Sequence, residues 1–438
     1  VELRYHADYL QVSTGKGHNR QDKLKIIQIS ASYKPAYIYG GPIQSVAKLC
    51  EAFRGLEIGG EGLSVDNIQV LTTTANGSAE LDIAIGKPVL VEGVKVTYFK
   101  RWTKDHSHFS PGLLLSLRKA ILHCIQNDKT SAKDDRLVIH IHAWWNLVSV
   151  LSCLLAKWYK IPVVLSPRGM LTSYTFGNRN SFSKRIIHKL MGKQLLKYCH
   201  IHATSEQEKR DILTIVQPKS IKVIANLVSL GAGAIVSEYH ASVVKDEESL
   251  IFKIIFLSRI EEKKGLELLF EALTLVDVPW QLTIGGTGKE EYVQNLKHKA
   301  ETLKLSERIT WLGQVNNEEK FNLMAEHDVA VLTSYNENFA NIVVESLSMG
   351  TPVLISKFVG LADYVADKNL GWITGLKVEQ IKAGIVAAYQ DIEKRKKIRT
   401  TAPSQINTDF NDDILAKQYV EFYKEIPATH NNLNESKF

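Results

Sequence analysis

SYNENFANIVVESLSMGTPVLI, residues 334–355, decides how this chain is read. A loop carrying Glu337 precedes an apolar run with helical spacing, Glu345 follows with seven residues between the two acids, and Gly350, Thr351 and Pro352 close the run before a new apolar strand. Asn336, Asn338 and Asn341 stand where the helix should begin, and an Asn side-chain oxygen accepts from an orphan backbone N–H. Free N–H groups and the helix dipole make such a terminus attract anions, phosphate above all. At about 100 degrees per residue, Glu345 falls roughly 80 degrees round the helix from Glu337, so both acids are expected to face one cavity. Ile342, Val343, Val344, Leu347 and Met349 cover the remaining faces, as in a helix buried against a sheet. A sheet-packing helix with two solvated glutamates explains the same letters equally well.

Working outward, apolar strands at 253–257, 280–284, 309–312 and 329–332 alternate with helices, and helices around 378–399 and 413–423 follow. Arg259 and Lys264-Gly265 lie on the turn after the first of these strands, where two cations can close on a diphosphate or simply face solvent. Gly285-Gly286-Thr287-Gly288-Lys289 looks like a phosphate loop, but Glu290 stands where Ser or Thr should follow the lysine. The amino-terminal half has the same alternation. A strand at 25–30 runs into Gly40-Gly41-Pro42 and a helix at 43–54, either a phosphate cradle or a plain turn. Further on, a strand at 137–141 delivers His142 to its carboxyl end, where open α/β sheets bind ligands; a histidine capping the strand is the alternative. Trp144 and Trp145 would stack on a ring or pack under the loop. His106 and His108, with no third ligand, read as surface polar residues.

At 438 residues, with 45% hydrophobic content, the chain has material for two cores. Cys50, Cys124, Cys153 and Cys199 are widely spaced, which points away from zinc and disulfide frameworks and toward a reducing cytoplasm. The opening residues lack an apolar signal core, and no stretch reaches 18 apolar residues, so a spanning helix is not expected. Between residues 179 and 222 ten Lys and Arg stand against three acids, a surplus equal to the +7 of the whole chain. That run suits an anionic membrane surface or a solvated helix face. Nucleic acid is not expected, since the run has few aromatics and no reading motif.

The two acids separated by seven residues, the Arg259…Lys264-Gly265 pattern, the Gly40-Gly41 loop and the His140-x-His142 element together resemble the retaining glycosyltransferases of family four. The resemblance implies the GT-B fold: two Rossmann-like α/β domains whose parallel sheets face a central cleft. The implied organisation is a tail at 1–23, an acceptor domain at 24–228, a linker at 229–250, a donor domain at 251–402, a helical segment at 403–427 packing back on the first domain, and a tail at 428–438. It assigns catalysis to His142, Arg259, Lys264 and Glu337. The donor falls to Gly40, Gly41, Gly286, Asn338, Phe339, Ala340, Asn341 and Glu345, and the acceptor to Trp144 and Arg168. Glu337 and the amides after it would hold the donor sugar and its phosphate, and Glu345 the ribose. Asn338 and Ala340 replace the family's usual glycines, and their side chains are expected to narrow the donor pocket. Arg168, in a Pro-Arg-Gly element, suits an anionic acceptor because a guanidinium matches phosphate bidentately. No cofactor is implied beyond a UDP- or GDP-sugar co-substrate, and the absence of a D-x-D pair implies no metal. The expected activity is retaining transfer to a saccharide or lipid-linked saccharide in cell-surface polysaccharide synthesis, in the cytoplasm or peripheral to the inner membrane face. A non-catalytic nucleotide-sugar-binding or adaptor protein and a sugar-nucleotide epimerase are the alternatives.

Overall fold

The computed structural model describes residues 23–56, 68–130, 135–172, 192–231 and 251–427. The expected tails, most of the linker at 229–250, and the basic residues Arg179, Lys184, Arg185 and Lys189 lie outside the described residues.

The first domain runs β1 (Lys23–Ile29), α1 (Gly41–Gly55), β2 (Ile68–Thr73), the small antiparallel pair β3 (Ala75–Asn76) and β4 (Ala79–Glu80), β5 (Pro88–Val91) and β6 (Val94–Phe99). It continues with α2 (Pro111–Thr130), β7 (Asp135–His142), α3 (Leu147–Trp158), β8 (Val163–Ser166), α4 (Lys193–Tyr198), β9 (His200–Ala203), α5 (Glu206–Ile215) and β10 (Ser220–Val223). Its sheet has the order β10-β9-β8-β7-β1-β2-β6-β5 and is parallel except for the edge pair β5 and β6. Strand β8, VVLS, is a near-continuous apolar run, buried throughout, because both faces are covered.

The second domain runs β11 (Phe252–Leu257), α6 (Leu266–Thr274), β12 (Trp280–Gly285), α7 (Glu290–Thr302), β13 (Ile309–Gly313), α8 (Asn317–Ala325), β14 (Val329–Leu332), α9 (Asn341–Ser348) and β15 (Val353–Ser356). Then come α10 (Ala362–Asp367), β16 (Gly371–Thr374), α11 (Val378–Gln390), α12 (Ile392–Asp409) and α13 (Asp412–Glu425). All six strands are parallel, in the order β13-β12-β11-β14-β15-β16. In each domain the strand order reverses beside the first strand, between β1 and β7 and between β11 and β14. Those switch points are where open sheets leave a crevice.

The segment that returns to the first domain starts later than 403. Helix α12 continues through Pro403 to Asp409 and packs beside α9. A proline cannot bond the carbonyl four residues back, which here belongs to Arg399. Gly350 approaches that carbonyl so closely that a Cβ would lie 2.5 Å from it, at a φ of +77°. Among the described residues it is α13 that crosses, packing Tyr419 edge-on and Tyr423 tilted against Phe53 of α1 with ring centroids 6.2 and 6.0 Å apart. Arg136 donates to the Lys424 carbonyl at 2.7 Å, and Lys48 pairs with Asp412 at 3.0 Å.

Candidate active site

At the second switch point β11 ends in Ser258-Arg259, and β14 ends in the loop that carries Glu337. Gly265 is left-handed, at a φ of +69°, and a Cβ there would meet the Thr333 carbonyl at 2.3 Å; Thr333 Oγ1 donates back to the Gly265 carbonyl at 2.9 Å. This clasp aims Lys264 at Glu337, and the two form a buried ion pair. Burial holds the Lys264 ammonium below its ordinary value, with Glu337 opposing. Burial pushes the Glu337 carboxyl up, but Lys264, Lys263 and Arg259 outweigh it and leave it below the usual range. Arg259 is half exposed, bonds Glu261 at 2.8 Å and approaches Gly40 across the cleft.

Glu345 has a different ion-pair partner from Glu337. It is buried on α9 and pairs with Lys320 of α8 at 2.8 Å, a partner that the sequence does not signal. Helix α9 is capped by none of the asparagines. Its N-cap is Ala340, at a left-handed φ of 70°, with no side-chain hydrogen bond. Asn338 and Asn341 reach instead into the first domain, Asn338 donating to Thr204 Oγ1 at 2.7 Å and Asn341 to Ser45 Oγ at 3.0 Å. The Asn338 amide nitrogen thus bonds across the domain interface. Phe339 packs its ring against Phe410 and leaves only its backbone available. Ala340 sits where glycine would be unstrained. Ala340→Gly is expected to raise stability by up to about 1 kcal/mol and Ala340→Val to lower it by about 2, read by urea unfolding.

Gly286 lies at a φ of 138°, and a Cβ there would come within 1.9 Å of the Ser258 carbonyl. Gly288 bridges Ile260. The glycines let two backbone turns touch, which explains the loop that resembled a phosphate cradle. In the first domain Gly40 and Gly41 open α1, with Gly41 against Asn341.

At the first switch point a cavity of about 860 Å³ opens between the ends of β1 and β7. His142 and Arg168 line it, as do His106, His108, Trp145 and Met170. Trp144 does not: it is fully buried in the core, and its Nε1 finds no partner among the described residues. Successive residues of an irregular loop carry no alternation rule, so the sequence did not separate the two tryptophans. His108 is buried as well, its Nδ1 3.3 Å from Arg101. Among the described residues no group of three His, Cys, Asp or Glu is placed to hold a metal ion.

Beneath the cavity runs a chain of buried hydrogen bonds whose direction is fixed by its last acceptor. The Ile224 carbonyl can only accept, so His202 donates to it from Nε2 at 2.8 Å. His202 Nδ1 then accepts from Ser166 Oγ at 2.6 Å, Ser166 accepts from His140 Nε2 at 2.7 Å, and His140 Nδ1 accepts from the Tyr423 hydroxyl at 2.7 Å. His142 obeys the same logic. Arg168 only donates, so His142 Nδ1 accepts from it at 3.4 Å and Nε2 donates to Gln28 Oε1 at 2.7 Å. Burial holds His140 and His142 well below the ordinary imidazole value and His202 down to about 3. All three are neutral. Tyr423→Phe orphans His140 Nδ1 and is expected to cost about 1–3 kcal/mol by urea unfolding. Tyr419→Phe, which removes only a second acceptor 3.0 Å from His202 Nε2, should cost less.

Comparison with known proteins places this arrangement. Residues 61–231 match the family described as Glycosyltransferase Family 4, and residues 237–405 match Glycosyl transferases group 1. The chain belongs to the family 4 glycosyltransferases and has their GT-B fold. An uncharacterized glycosyltransferase of Methanocaldococcus jannaschii is 25% identical over 300 residues, which are 66% of this chain and 75% of that one. A lipopolysaccharide core biosynthesis glycosyltransferase of Rhizobium meliloti is 24% identical over 210 residues, 48% of this chain and 59% of that one. In fold the chain is similar to the crystal structure of Anabaena HepE in complex with UDP and glucose, with a TM-score of 0.64 and 17% identity over 92% of this chain and all of that one.

The described part of the basic run is largely engaged within the protein. Arg210 pairs with Asp363 and Lys222 with Glu425, both across to the second half of the chain, while Lys209 pairs with Glu206 and Lys219 lies over Tyr198. Among the described residues no helix is long and apolar enough to cross a membrane.

Proposed function

We propose that this glycosyltransferase moves a hexosyl group from a UDP- or GDP-sugar, with retention and without a metal, to a saccharide or lipid-linked saccharide acceptor. The observation that carries this reading is the Lys264–Glu337 pair at one switch point, set across the cleft from His142 and Arg168 at the other. Departure of a nucleoside diphosphate develops negative charge. Arg259, Lys264 and the first-turn amides of α9, which no side chain caps, would receive it. Glu337, held ionised, would position donor hydroxyls, and the Lys320–Glu345 pair would hold the ribose. The acceptor would attack from the face the diphosphate leaves, and the departing phosphate oxygen would take its proton. His142 has both ring nitrogens engaged and orients the reacting sugar rather than serving as base. The kinship with a lipopolysaccharide core transferase supports a role in cell-surface polysaccharide synthesis on the cytoplasmic face of the membrane.

The test is calorimetric titration, without added metal, of UDP, GDP, ADP and NAD into the wild type, Glu345→Ala and Arg259→Ala. Micromolar binding of one nucleoside diphosphate, weakened at least tenfold by both substitutions, supports the donor site. Binding of none, or of NAD alone, sinks it.

A further inference from the structure

Arg168 is a partly buried guanidinium that bonds no carboxylate among the described residues. Its NH1 donates to Asn226 Oδ1 at 3.0 Å, and its Nε and NH2 reach His142 Nδ1 at 3.4 Å; both partners are neutral. Glu208 is the carboxylate that acts on it electrostatically, after Tyr419. That carboxylate is already spent, accepting from the Gly169 and Thr204 amides at 2.7 Å each and from the Thr204 hydroxyl at 2.9 Å. A buried cation normally has an anion in contact, because removing it from water costs more than neutral donors and acceptors return. Arg168 also sits at a φ of 52°, a left-handed conformation that glycine or asparagine would adopt with less strain, and Ala143, which lines the same cavity, is at 68°. Backbone strain of this kind persists where the surrounding structure fixes a side chain for a task.

The formally charged side chains that line the cavity Arg168 faces are Arg168 and Arg259, both cations; His108 and His142 are neutral, and no Asp or Glu is among the described lining residues. Ile43, Val46, Trp145 and Met170 give it apolar walls, and its volume of about 860 Å³ is that of a small-molecule site. No carboxylate among the described lining residues repels an anion there. We propose that this cavity seats an acceptor bearing a phosphate or carboxylate group, with Arg168 as the ligand of that anion. The proposal rests on the transferase reading and narrows its acceptor. The donor diphosphate is a different anion: its cations, Arg259 and Lys264, belong to the second domain, whereas Arg168 is anchored within the first by His142 and Asn226.

The test is calorimetry on the full chain saturated with whichever nucleoside diphosphate it binds. Glucose, glucose 6-phosphate, glucuronate and, in detergent micelles, farnesyl diphosphate are titrated into the wild type, Arg168→Gln and Arg168→Lys. Glucose 6-phosphate or glucuronate binding at least tenfold more tightly than glucose, with that margin lost in Arg168→Gln and partly kept in Arg168→Lys, supports the subsite for a soluble anionic acceptor. Farnesyl diphosphate binding most tightly, with the same Arg168 dependence, supports it with the anion carried on a lipid. Equal affinity for glucose and every anionic probe overturns it. So does a loss of nucleotide affinity in Arg168→Gln as large as the loss for the anionic probe, since Arg168 would then serve the donor phosphate. Nucleotide binding in each variant reports that the domains are folded. If no nucleoside diphosphate binds the wild type, the transferase reading has failed instead, and the subsite falls with it.

Discussion

Lowering the pH from 7.5 to 5.5 is expected to cost the folded protein about 4 kcal/mol through its three fully buried histidines alone, a large part of the 5–15 kcal/mol that a domain has in hand. The loss comes from His140, His142 and His202, which are fully buried and neutral. Their folded pKa values lie below the ordinary imidazole value, so the unfolded chain binds protons first as the pH falls. The stability they contribute is fully present above about 6.5 and is lost progressively toward their folded values. At pH 5.5 each costs about 1.4 kcal/mol. His108 and His200, each depressed to about 4 by burial, add to the same trend. Glu208 has the opposite sign: burial raises its pKa, so the folded state takes up a proton first and regains a little stability at lower pH. Urea midpoints at pH 7.5, 6.5 and 5.5 check this. A flat profile would mean that the histidines reach water.

Replacing Lys264 by Met should lower turnover by roughly a hundred- to a thousandfold, the usual effect of deleting one preorganised charge donor in an active site. It should also destabilise the fold by about 3 kcal/mol, because Glu337 is left as a buried carboxylate without its partner. The two effects are separable. In the double variant Lys264→Met with Glu337→Gln, the uncompensated charge is gone, so most of the stability should return while turnover stays lost. Urea unfolding and release of nucleoside diphosphate from the donor sugar read the two quantities. Turnover recovering in step with stability would show that the pair serves the fold alone.

What the sequence made legible follows from which contacts are local. The Lys264-Gly265 turn and the loop at Glu337 each lie just beyond a strand end, so α/β alternation placed both at one crevice, and the switch-point rule did the rest. The asparagines show the limit. Asn338 and Asn341 are good capping residues by type, but their partners, Thr204 and Ser45, are distant in the chain, and tertiary contact outweighed the local preference. Lys320 was invisible for the same reason: nothing near it in sequence announces Glu345. The angular count between the two acids does not apply, because Glu337 precedes the helix that carries Glu345.

The hydrogen bonds from Tyr423 to Ile224 all point one way, and that polarity is set by one carbonyl. No link can reverse alone, since turning Ser166 about would leave two donors facing each other at one end and two lone pairs at the other. The five groups therefore behave as a single switch with one state available while the Ile224 carbonyl keeps its place. Ile224 stands just after the last strand of the first domain, and Tyr423 lies on the helix by which the second returns. The ends of the row thus belong to the two passages of chain between the domains, so the row ties together the places where the chain leaves the first domain and returns to it.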